Sequence, residues 1–277
     1  MMQSLLAAIA EKKAALDRLR PLSEGALRQL QAHYDVELTY TSNAIEGNTL
    51  TLRETAEVIQ HGITVGGKSI KDHLEAVDHY DALQWMRAEA MGQTRVGEAA
   101  IIELHRRIVL RSLPAMAGVY SPYPRRIAGS PVVFPNPAKV PQLMREFGDW
   151  LEMQTQLSGT QAPAAPQSEP APEWAKWPGA RLNEACDGTD IAFLAHFRLT
   201  AIHPFGDGNG RTARLLMNML LLRMGYPPIA IGPAERRDYL AALEAGSLRE
   251  DLTAFQQWMH VRLDETLAAY LEVLRER

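Results

Sequence analysis

The sequence contains one cysteine, no long hydrophobic run and no excess of basic residues. Cys186 is the single cysteine among 277 residues, which excludes a disulfide within the chain and a metal site built from cysteines alone. That usage suits a reducing compartment. No apolar stretch approaches the roughly 20 residues needed to span a bilayer, and "MMQSLLAAIAEKK" is a poor secretory signal. We therefore expect a cytoplasmic protein without membrane association.

The formal net charge is −4, which does not favour nucleic-acid binding. Hydrophobic residues make up 46% of the chain and charged residues 22%, as in ordinary globular proteins. The chain therefore has enough apolar material for a sizeable core, and it shows no internal repeat.

Apolar residues recur at helical spacing along most of the chain, and two capping signals mark helix starts: Thr51 with Glu54, and Ser69 with Asp72. The predicted helices cover about 3–20, 23–38, 51–59, 69–86, 97–111, 138–154, 190–202, 211–225, 235–245 and 250–275. Only Arg126–Phe134 is typical of β-structure, as a short hairpin. The sequence thus predicts an all-α fold with one β-hairpin.

A proline-rich stretch occupies about residues 158–190. Its five prolines exclude a regular helix, so we expect an extended surface insertion within one domain. Trp174 and Trp177 leave a second interpretation open, in which the stretch docks on the body or on a partner.

The segment "AIHPFGDGNGRTARLLMNMLLL", residues 201–222, places a charged, glycine-rich loop before an almost wholly apolar helix. Such a helix belongs in a core, and its start offers unpaired N–H groups and the positive end of the dipole. Gly206, Gly208 and Gly210 allow an anion to approach the backbone. The loop therefore predicts a phosphate-binding site.

The side chains of the loop extend this interpretation. Arg211 and Arg214 provide donors suited to phosphate oxygens, and Asp207 is a natural ligand for Mg²⁺ beside phosphates. His203 can be neutral at pH 7 and accept a proton. Together they predict a nucleotide site with a general base next to it.

"HPFGDGNGRTAR", residues 203–214, resembles the signature of the Fic family at every position. "GGKSIKDHLEAVDHYDAL", residues 66–83, and the stretch from "LHRRIV" to "REFGDWLE" resemble the helices and flap that precede that signature. The resemblance implies an all-α Fic-type core at 66–277 and a flap at about 121–137. It also implies transfer of AMP from ATP to a Ser, Thr or Tyr hydroxyl of a protein, with release of pyrophosphate.

The resemblance also implies the role of each motif residue. His203 would deprotonate the hydroxyl, Asp207 would hold Mg²⁺ at the α and β phosphates, and Phe205 would anchor the loop. The remaining motif residues would bind phosphate: Gly208, Asn209, Gly210, Arg211 and Arg214. The Asn209 side chain would hold an oxygen, Arg211 would lie near the β-phosphate and Arg214 would contact the γ-phosphate. A relative that phosphorylates has Lys at the position of Gly210, so this sequence favours nucleotidyl transfer.

A second motif, "SNAIEG", lies in an N-terminal helical region at 1–65, within a helix at about 39–50. Ser42 and Glu46 fall on one helical face, and the simplest interpretation is a helix end capped by Gly47. Beside the Fic signature, the motif resembles the family's inhibitory helix. The resemblance implies that Glu46 pairs with Arg214 and blocks productive ATP binding.

Two further surfaces follow from the resemblance. The flap would pair with an extended segment of the protein substrate, through Ile127, Ala128, Gly129, Val132 and Val133. An ordinary surface hairpin is the alternative. The segment at 236–247 resembles the family segment that lies near adenine. It therefore implies these residues as the nucleobase pocket: Tyr239, Leu240, Leu243 and Ser247. Self-modification and a homodimer are further partner hypotheses.

Two rival functions use the same residues. In one, the site removes AMP from a modified protein, with Glu46 positioning water. In the other, the protein is a metal-dependent phosphohydrolase with His196, His203 and Asp207 as ligands, joined by His73 or His79. The second leaves Asn209, Arg211 and Arg214 without a joint role, which is why we favour nucleotidyl transfer.

Overall fold

The computed structural model describes residues 2–92, 94–127, 129–157, 188–249 and 251–275. The described residues confirm the all-α prediction. The helices are α1 Met2–Arg18, α2 Glu24–Ile45, α3 Leu52–His61, α4 Ile70–Met91, α5 Glu98–Ile108, α6 Val140–Leu157, α7 Gly188–Ile202, α8 Asn209–Arg223, α9 Arg236–Arg249 and α10 Thr253–Arg275. Most of the predicted insertion, including Trp174 and Trp177, lies outside the described residues.

Both predicted capping signals are confirmed. Thr51 Oγ1 accepts a hydrogen bond from the Glu54 N–H at 3.2 Å, and the Glu54 carboxylate accepts one from the Thr51 N–H at 2.8 Å. Ser69 Oγ accepts from the Asp72 N–H at 3.0 Å. These caps fix the starts of α3 and α4. The domain boundary predicted at residues 65 and 66 falls in the turn between these two helices.

Helix α8 lies at the centre of the molecule. It packs against α2, α4, α5 and α7, and its residues 211–221 are all buried. Because α7 and α8 are both buried, the loop that joins them emerges at the end of the core, where helices from three other parts of the chain surround it. Among the described helices, none combines the length and the apolar character needed to cross a membrane.

The flap segment differs from the predicted hairpin. Its described residues, 121–127 and 129–137, form no β-strand; an isolated bridge joins Tyr120 to Phe205 just before it. The segment is extended, with a turn closed by a hydrogen bond from the Ser130 N–H to the Ile127 carbonyl at 3.1 Å. Pro122, Pro124 and Pro131 have no N–H to donate to a ladder, which explains why the arms do not pair.

Candidate active site

The glycine-rich loop opens α8 in the geometry that the sequence predicts. Gly208 precedes the helix in the left-handed conformation, with φ +75°. A Cβ atom at Gly208 would lie 3.1 Å from Val109 Cγ1 and 3.4 Å from the His105 ring. Glycine is therefore required both by the backbone conformation and by the close packing of α5. The result is a compact turn that presents the first N–H groups of α8 as an anion site.

Asn209 fixes the loop from within. Its Oδ1 accepts from the Phe205 N–H and its Nδ2 donates to the Phe205 carbonyl, both at 2.9 Å. Phe205 is fully buried and stacks on His105, with ring centroids 3.6 Å apart, as expected for an anchor. The Asn209 amide thus holds the loop backbone, where the sequence analysis expected it to hold a ligand oxygen.

His105 is a site residue that the sequence analysis did not identify. Its Nδ1 accepts a hydrogen bond from the Gly118 N–H at 3.1 Å, and its Nε2 donates to the Asp207 carbonyl at 3.0 Å. Burial lowers the pKa of His105 to about 4, so the ring is neutral and can play both roles. His105 therefore joins the loop to the start of the flap. A single histidine in "LHRRIV" carries no local signal of this, because both partners are distant in sequence.

His203 lies at the mouth of the loop, with φ +52°. Its ring stacks on Phe134 of the flap segment, with centroids 4.2 Å apart, and its Nδ1 lies 3.4 Å from the Thr200 carbonyl. Burial lowers the pKa of His203 to about 4; the Thr200 carbonyl opposes this shift and the Arg125 charge adds to it. The imidazole is therefore neutral at pH 7. A proton on Nδ1, facing Thr200, leaves the Nε2 lone pair free to act as a base.

Asp207 and Arg211 form an ion pair whose two members differ in exposure. Asp207 Oδ1 accepts from the Gly208 N–H at 2.5 Å and lies 3.2 Å from Arg211 Nη2. The Asp207 side chain is 41% exposed and that of Arg211 only 1%. Arg211 Nη1 also lies 3.4 Å from both Glu75 Oε1 and Asn43 Oδ1. Arg211 is thus buried and orients the Asp207 carboxylate; its contact with a phosphate stays a prediction.

The ligand set of the phosphohydrolase hypothesis is not brought together. Among the described residues, no group of three or more His, Cys, Asp or Glu side chains could hold a metal ion. His196 is fully buried, and its Nε2 lies 2.8 Å from the Tyr239 hydroxyl. His73 is occupied by the backbone, with its Nε2 accepting from the Val65 N–H at 2.8 Å. The described residues therefore do not assemble the metal site of that hypothesis.

The predicted contact between Glu46 and Arg214 is present. Arg214 Nη2 donates to Glu46 Oε1 at 2.7 Å and to the Ser42 carbonyl at 2.9 Å, and Arg214 Nε donates to Ser42 Oγ at 3.0 Å. Glu46 directly follows α2, and Gly47 turns the chain away with φ +96°. The predicted inhibitory helix is therefore the end of the 22-residue helix α2.

Glu46 also occupies the space above the first turn of α8. A Cβ atom built at Gly210 would clash with Glu46 Oε1 and would lie 3.1 Å from Arg214 Nη1. The carboxylate therefore lies where an anion bound at the helix start would meet Arg214. A Cβ atom at position 210 would therefore displace the end of the Glu46 side chain.

Three hydrogen bonds hold the Glu46 segment in place. Asn48 Nδ2 donates to Glu75 Oε2 and to the Asp72 carbonyl, both at 3.0 Å. On the other side, Arg236 Nε donates to the Ile45 carbonyl at 2.7 Å. Helices α4 and α9 thus fix the segment from both flanks.

The four nucleobase candidates lie on α9 but face different surroundings. Leu240 is 37% exposed, and Leu243 and Ser247 are half-buried. Tyr239 is 1% exposed, and its ring lies 5.7 Å from that of Trp258. The helical turn therefore directs Tyr239 into the core. The nucleobase pocket at these four residues stays a prediction.

The flap segment lies over His203 and exposes apolar side chains. Ile127 is 48% exposed and Val133 is 73% exposed, while Val132 is half-buried. Gly129 adopts φ +81° at the turn, and Ala128 lies outside the described residues. Ser130 Oγ donates to Glu244 Oε2 of α9 at 2.6 Å, and Arg125 contacts the Gly206 carbonyl. These contacts hold the segment at the edge of the loop.

Known proteins of the Fic/DOC family are similar to this chain in sequence. The family model described as Fic/DOC matches residues 95–221. The chain is 33% identical to "Protein adenylyltransferase Fic" of Nematostella vectensis over 272 residues, covering 97% of this chain and 56% of that protein. It is 32% identical over 266 residues to the protein of the same name from Drosophila willistoni, covering 96% and 47%. The chain thus spans about half the length of the curated relatives it matches.

Solved structures match over nearly the whole chain. Residues 134–508 of Fic-1 from C. elegans align with a TM-score of 0.81 at 25% identity, covering 99% of this chain and 73% of that one. A Fic domain-containing signaling protein from Bacteroides thetaiotaomicron aligns with a TM-score of 0.80 at 25% identity, covering 98% and 97%. With the complete motif arranged around α8, these matches show that residues 95–221 form a domain of the Fic/DOC family.

Proposed function

We propose that this protein transfers AMP from ATP to a hydroxyl group of a protein side chain. The observation that carries the proposal is the position of His203, which stacks on Phe134 and belongs to the glycine-rich anion loop, residues 203–214, at the start of α8. A base beside a phosphate cradle fits transfer to a hydroxyl group. The relatives named protein adenylyltransferase support the same reaction.

In this reaction, His203 Nε2 takes the proton of the target hydroxyl while the hydroxyl oxygen attacks the α-phosphorus of ATP. A new oxygen–phosphorus bond forms, the bond from the α-phosphorus to the α–β bridging oxygen breaks, and pyrophosphate leaves. The N–H groups at the start of α8 stabilise the negative charge on the phosphates. Positioning and charge neutralisation are the main demands of such chemistry.

Asp207 would hold Mg²⁺ in the ATP complex. Its carboxylate is the exposed acidic group of the loop, and Arg211 and the Gly208 N–H fix one of its oxygens. Mg²⁺ commonly binds proteins through one or two carboxylates and completes its coordination with phosphates and water. When bound, the ion would neutralise phosphate charge and orient the nucleotide.

The proposed protein substrate binds at the flap segment, where Ile127 and Val133 are exposed and Phe134 stacks on the ring of His203. An extended target backbone can pair with an extended, unpaired segment. The same geometry permits modification of a second copy of this chain. We infer a reducing, cytoplasmic setting from the single cysteine.

The Glu46–Arg214 ion pair would restrain the reaction. Glu46 occupies the donors of Arg214 and the space above Gly210, so ATP cannot place its terminal phosphates there at the same time. Hydrogen bonds to charged groups are worth about 1.5–3 kcal/mol, and the 38% exposure of the Glu46 side chain places this contact at the lower end of that range. That range is enough to shift ATP between misplaced and productive poses.

The test compares wild type, Glu46→Gly and Glu46→Gly/His203→Ala, incubated with ATP labelled at the α-phosphate, Mg²⁺ and a cell lysate. We expect weak labelling by wild type, strong labelling of target proteins and of the enzyme itself by Glu46→Gly, and none by the double variant. Equal labelling by wild type and Glu46→Gly would contradict the restraint. Loss of AMP from a labelled target on addition of wild type would instead indicate the reverse reaction.

A further inference from the structure

Tyr239 lies close to Arg214, the arginine that pairs with Glu46. Its ring is buried on α9, and its hydroxyl lies 2.8 Å from His196 Nε2. The same hydroxyl interacts with the Arg214 guanidinium. We propose that Tyr239 is a positioning residue that holds Arg214 toward the terminal phosphate of ATP, and that His196 orients the Tyr239 hydroxyl. This inference rests on the proposed function, because it takes Arg214 to be a phosphate ligand.

The direction of each hydrogen bond follows from the donors available. Arginine carries only donors, so in the proposed contact the Tyr239 oxygen would accept from Arg214. The Tyr239 proton is then donated to His196 Nε2, which requires a neutral His196 with its proton on Nδ1. Burial lowers the pKa of His196 to about 3, so the ring is neutral at pH 7. The observed contact between Tyr239 and His196 therefore leaves the Tyr239 oxygen free to accept from Arg214, so that the three side chains can be linked in one consistent direction.

Packing alone does not explain a histidine at the buried position 196. His196 Nδ1 is buried, and no described residue offers it a hydrogen-bond partner. An unpaired buried polar group destabilises a fold, whereas an apolar ring could fill the same space beside Phe255. What His196 adds over an apolar ring is an acceptor for the Tyr239 proton.

The remaining described partners of Arg214 all come from the inhibitory segment. They are Ser42 Oγ, the Ser42 carbonyl and Glu46 Oε1, at the end of α2. If this segment withdraws, Arg214 loses them together, and Tyr239 on α9 remains. Arg214 Nη1 already faces Gly210 and the anion loop. Tyr239 thus holds the guanidinium extended for a phosphate when Glu46 no longer does.

The test measures nucleotide binding rather than turnover, by calorimetry in the Glu46→Gly background with Mg²⁺. The probes are ATP and ADP analogues with a methylene group in place of the α–β bridging oxygen. Tyr239→Phe keeps the ring and removes the hydroxyl. We expect it to weaken binding of the ATP analogue about tenfold, the typical effect of one hydrogen bond to a charged group. Binding of the ADP analogue should be almost unchanged, because ADP does not reach Arg214.

Tyr34→Phe is the matched control. It also removes the hydroxyl of a buried, stacked tyrosine, whose partner ring is Tyr270 at 4.2 Å, and it should change neither affinity. His196→Phe should reproduce the effect of Tyr239→Phe. An equal loss of affinity for both analogues would overturn the inference, because Tyr239 would then only support the pocket; no loss for either would also overturn it.

Arg214→Ala separates this inference from the proposed function. We expect it to abolish the preference for the ATP analogue, and adding Tyr239→Phe should then have no further effect. If Arg214→Ala leaves the preference intact, the phosphate role of Arg214 and the inference both fail. If Arg214→Ala removes the preference but Tyr239→Phe does not reduce it, the inference alone fails.

Discussion

The anion loop, residues 203–214, and the flap segment, residues 121–137, meet at His203 but are built in opposite ways. In the loop, polar side chains bond to groups four residues away: Asn209 to Phe205 and Thr212 to the Gly208 carbonyl at 2.8 Å. Arg211, Phe205 and Asn209 are all buried. In the flap, Ile127 and Val133 leave about half or more of their side chains exposed.

This difference matches the two tasks of the proposed site. Charge stabilisation is the same for every target, and it works best with donors that are fixed before the reaction. Recognition of a protein partner needs an exposed surface instead. Changes in the loop should therefore alter chemistry or stability, and changes in the flap should alter recognition alone.

The largest effect should come from His203, where the two regions meet. His203→Asn keeps a residue type that tolerates a positive φ but removes the base. General-base catalysis is worth about 100- to 10,000-fold, so we expect transfer in the Glu46→Gly background to fall by that factor. Calorimetry should show nearly unchanged Mg²⁺–ATP affinity. Retained turnover would remove His203 from the role of base.

The next largest effect should come from acid, which should destabilise the folded protein through buried histidines around the loop. Burial lowers the pKa of His79, His105, His196 and His203 to between about 3 and 4. Each binds its proton more readily in the unfolded chain, so the free energy of unfolding should fall as pH decreases from about 6.5 to 4. The slope is about 1.4 kcal/mol per pH unit for each such histidine. Denaturant unfolding between pH 7.5 and 5 measures this loss.

His105→Gln provides the control for that measurement. Glutamine does not titrate in this range, so the variant should lose the part of the slope due to one histidine. An unchanged slope would show that His105 does not contribute to the acid sensitivity.

Asn209→Ala tests whether the loop depends on its internal bonds. Both backbone groups of Phe205 would lose their partner in a buried position, which costs about 2–4 kcal/mol of unfolding free energy. Asn218→Ala is a matched control, because Asn218 makes the same pair of bonds with the Ile229 backbone, at 2.9 and 3.1 Å. Both variants should be similarly destabilised in urea, but only Asn209→Ala should also weaken ATP binding. Equal ATP affinity in the two variants would contradict the role of Asn209 in the loop.

The smallest effect on the fold should come from the flap. Val133→Ser changes a side chain that is 73% exposed, so stability should change by less than about 0.5 kcal/mol. Labelling of target proteins should fall several-fold, while ATP binding stays constant. Val261→Ser, at an exposed position of α10, should leave labelling unchanged. If both valine variants label targets equally, the flap segment does not bind the protein substrate.

Local sequence determined the helices and the composition of the loop. The caps at Thr51 and Ser69 and the apolar periods fix helix starts, because each signal acts within one turn. The end of α2 was less predictable, since α2 continues to Ile45 through polar residues that tertiary contacts bury. The Arg126–Phe134 segment was misread as a hairpin, because strand pairing depends on backbone N–H donors and Pro131 within the segment has none.

The loop motif, by itself, indicated a phosphate site with a neutral base, because residue type and spacing along a helix start already define that chemistry. Only the tertiary structure decided how those residues are held. His105 reaches the loop from α5, Arg211 turns inward to Glu75 of α4, and Tyr239 approaches Arg214 from α9. These contacts join residues far apart in sequence, and hydrogen bonds between buried groups depend on where whole helices pack. The sequence therefore specified the chemical groups, and the packing of α4, α5 and α9 around α8 assigned each group its partner.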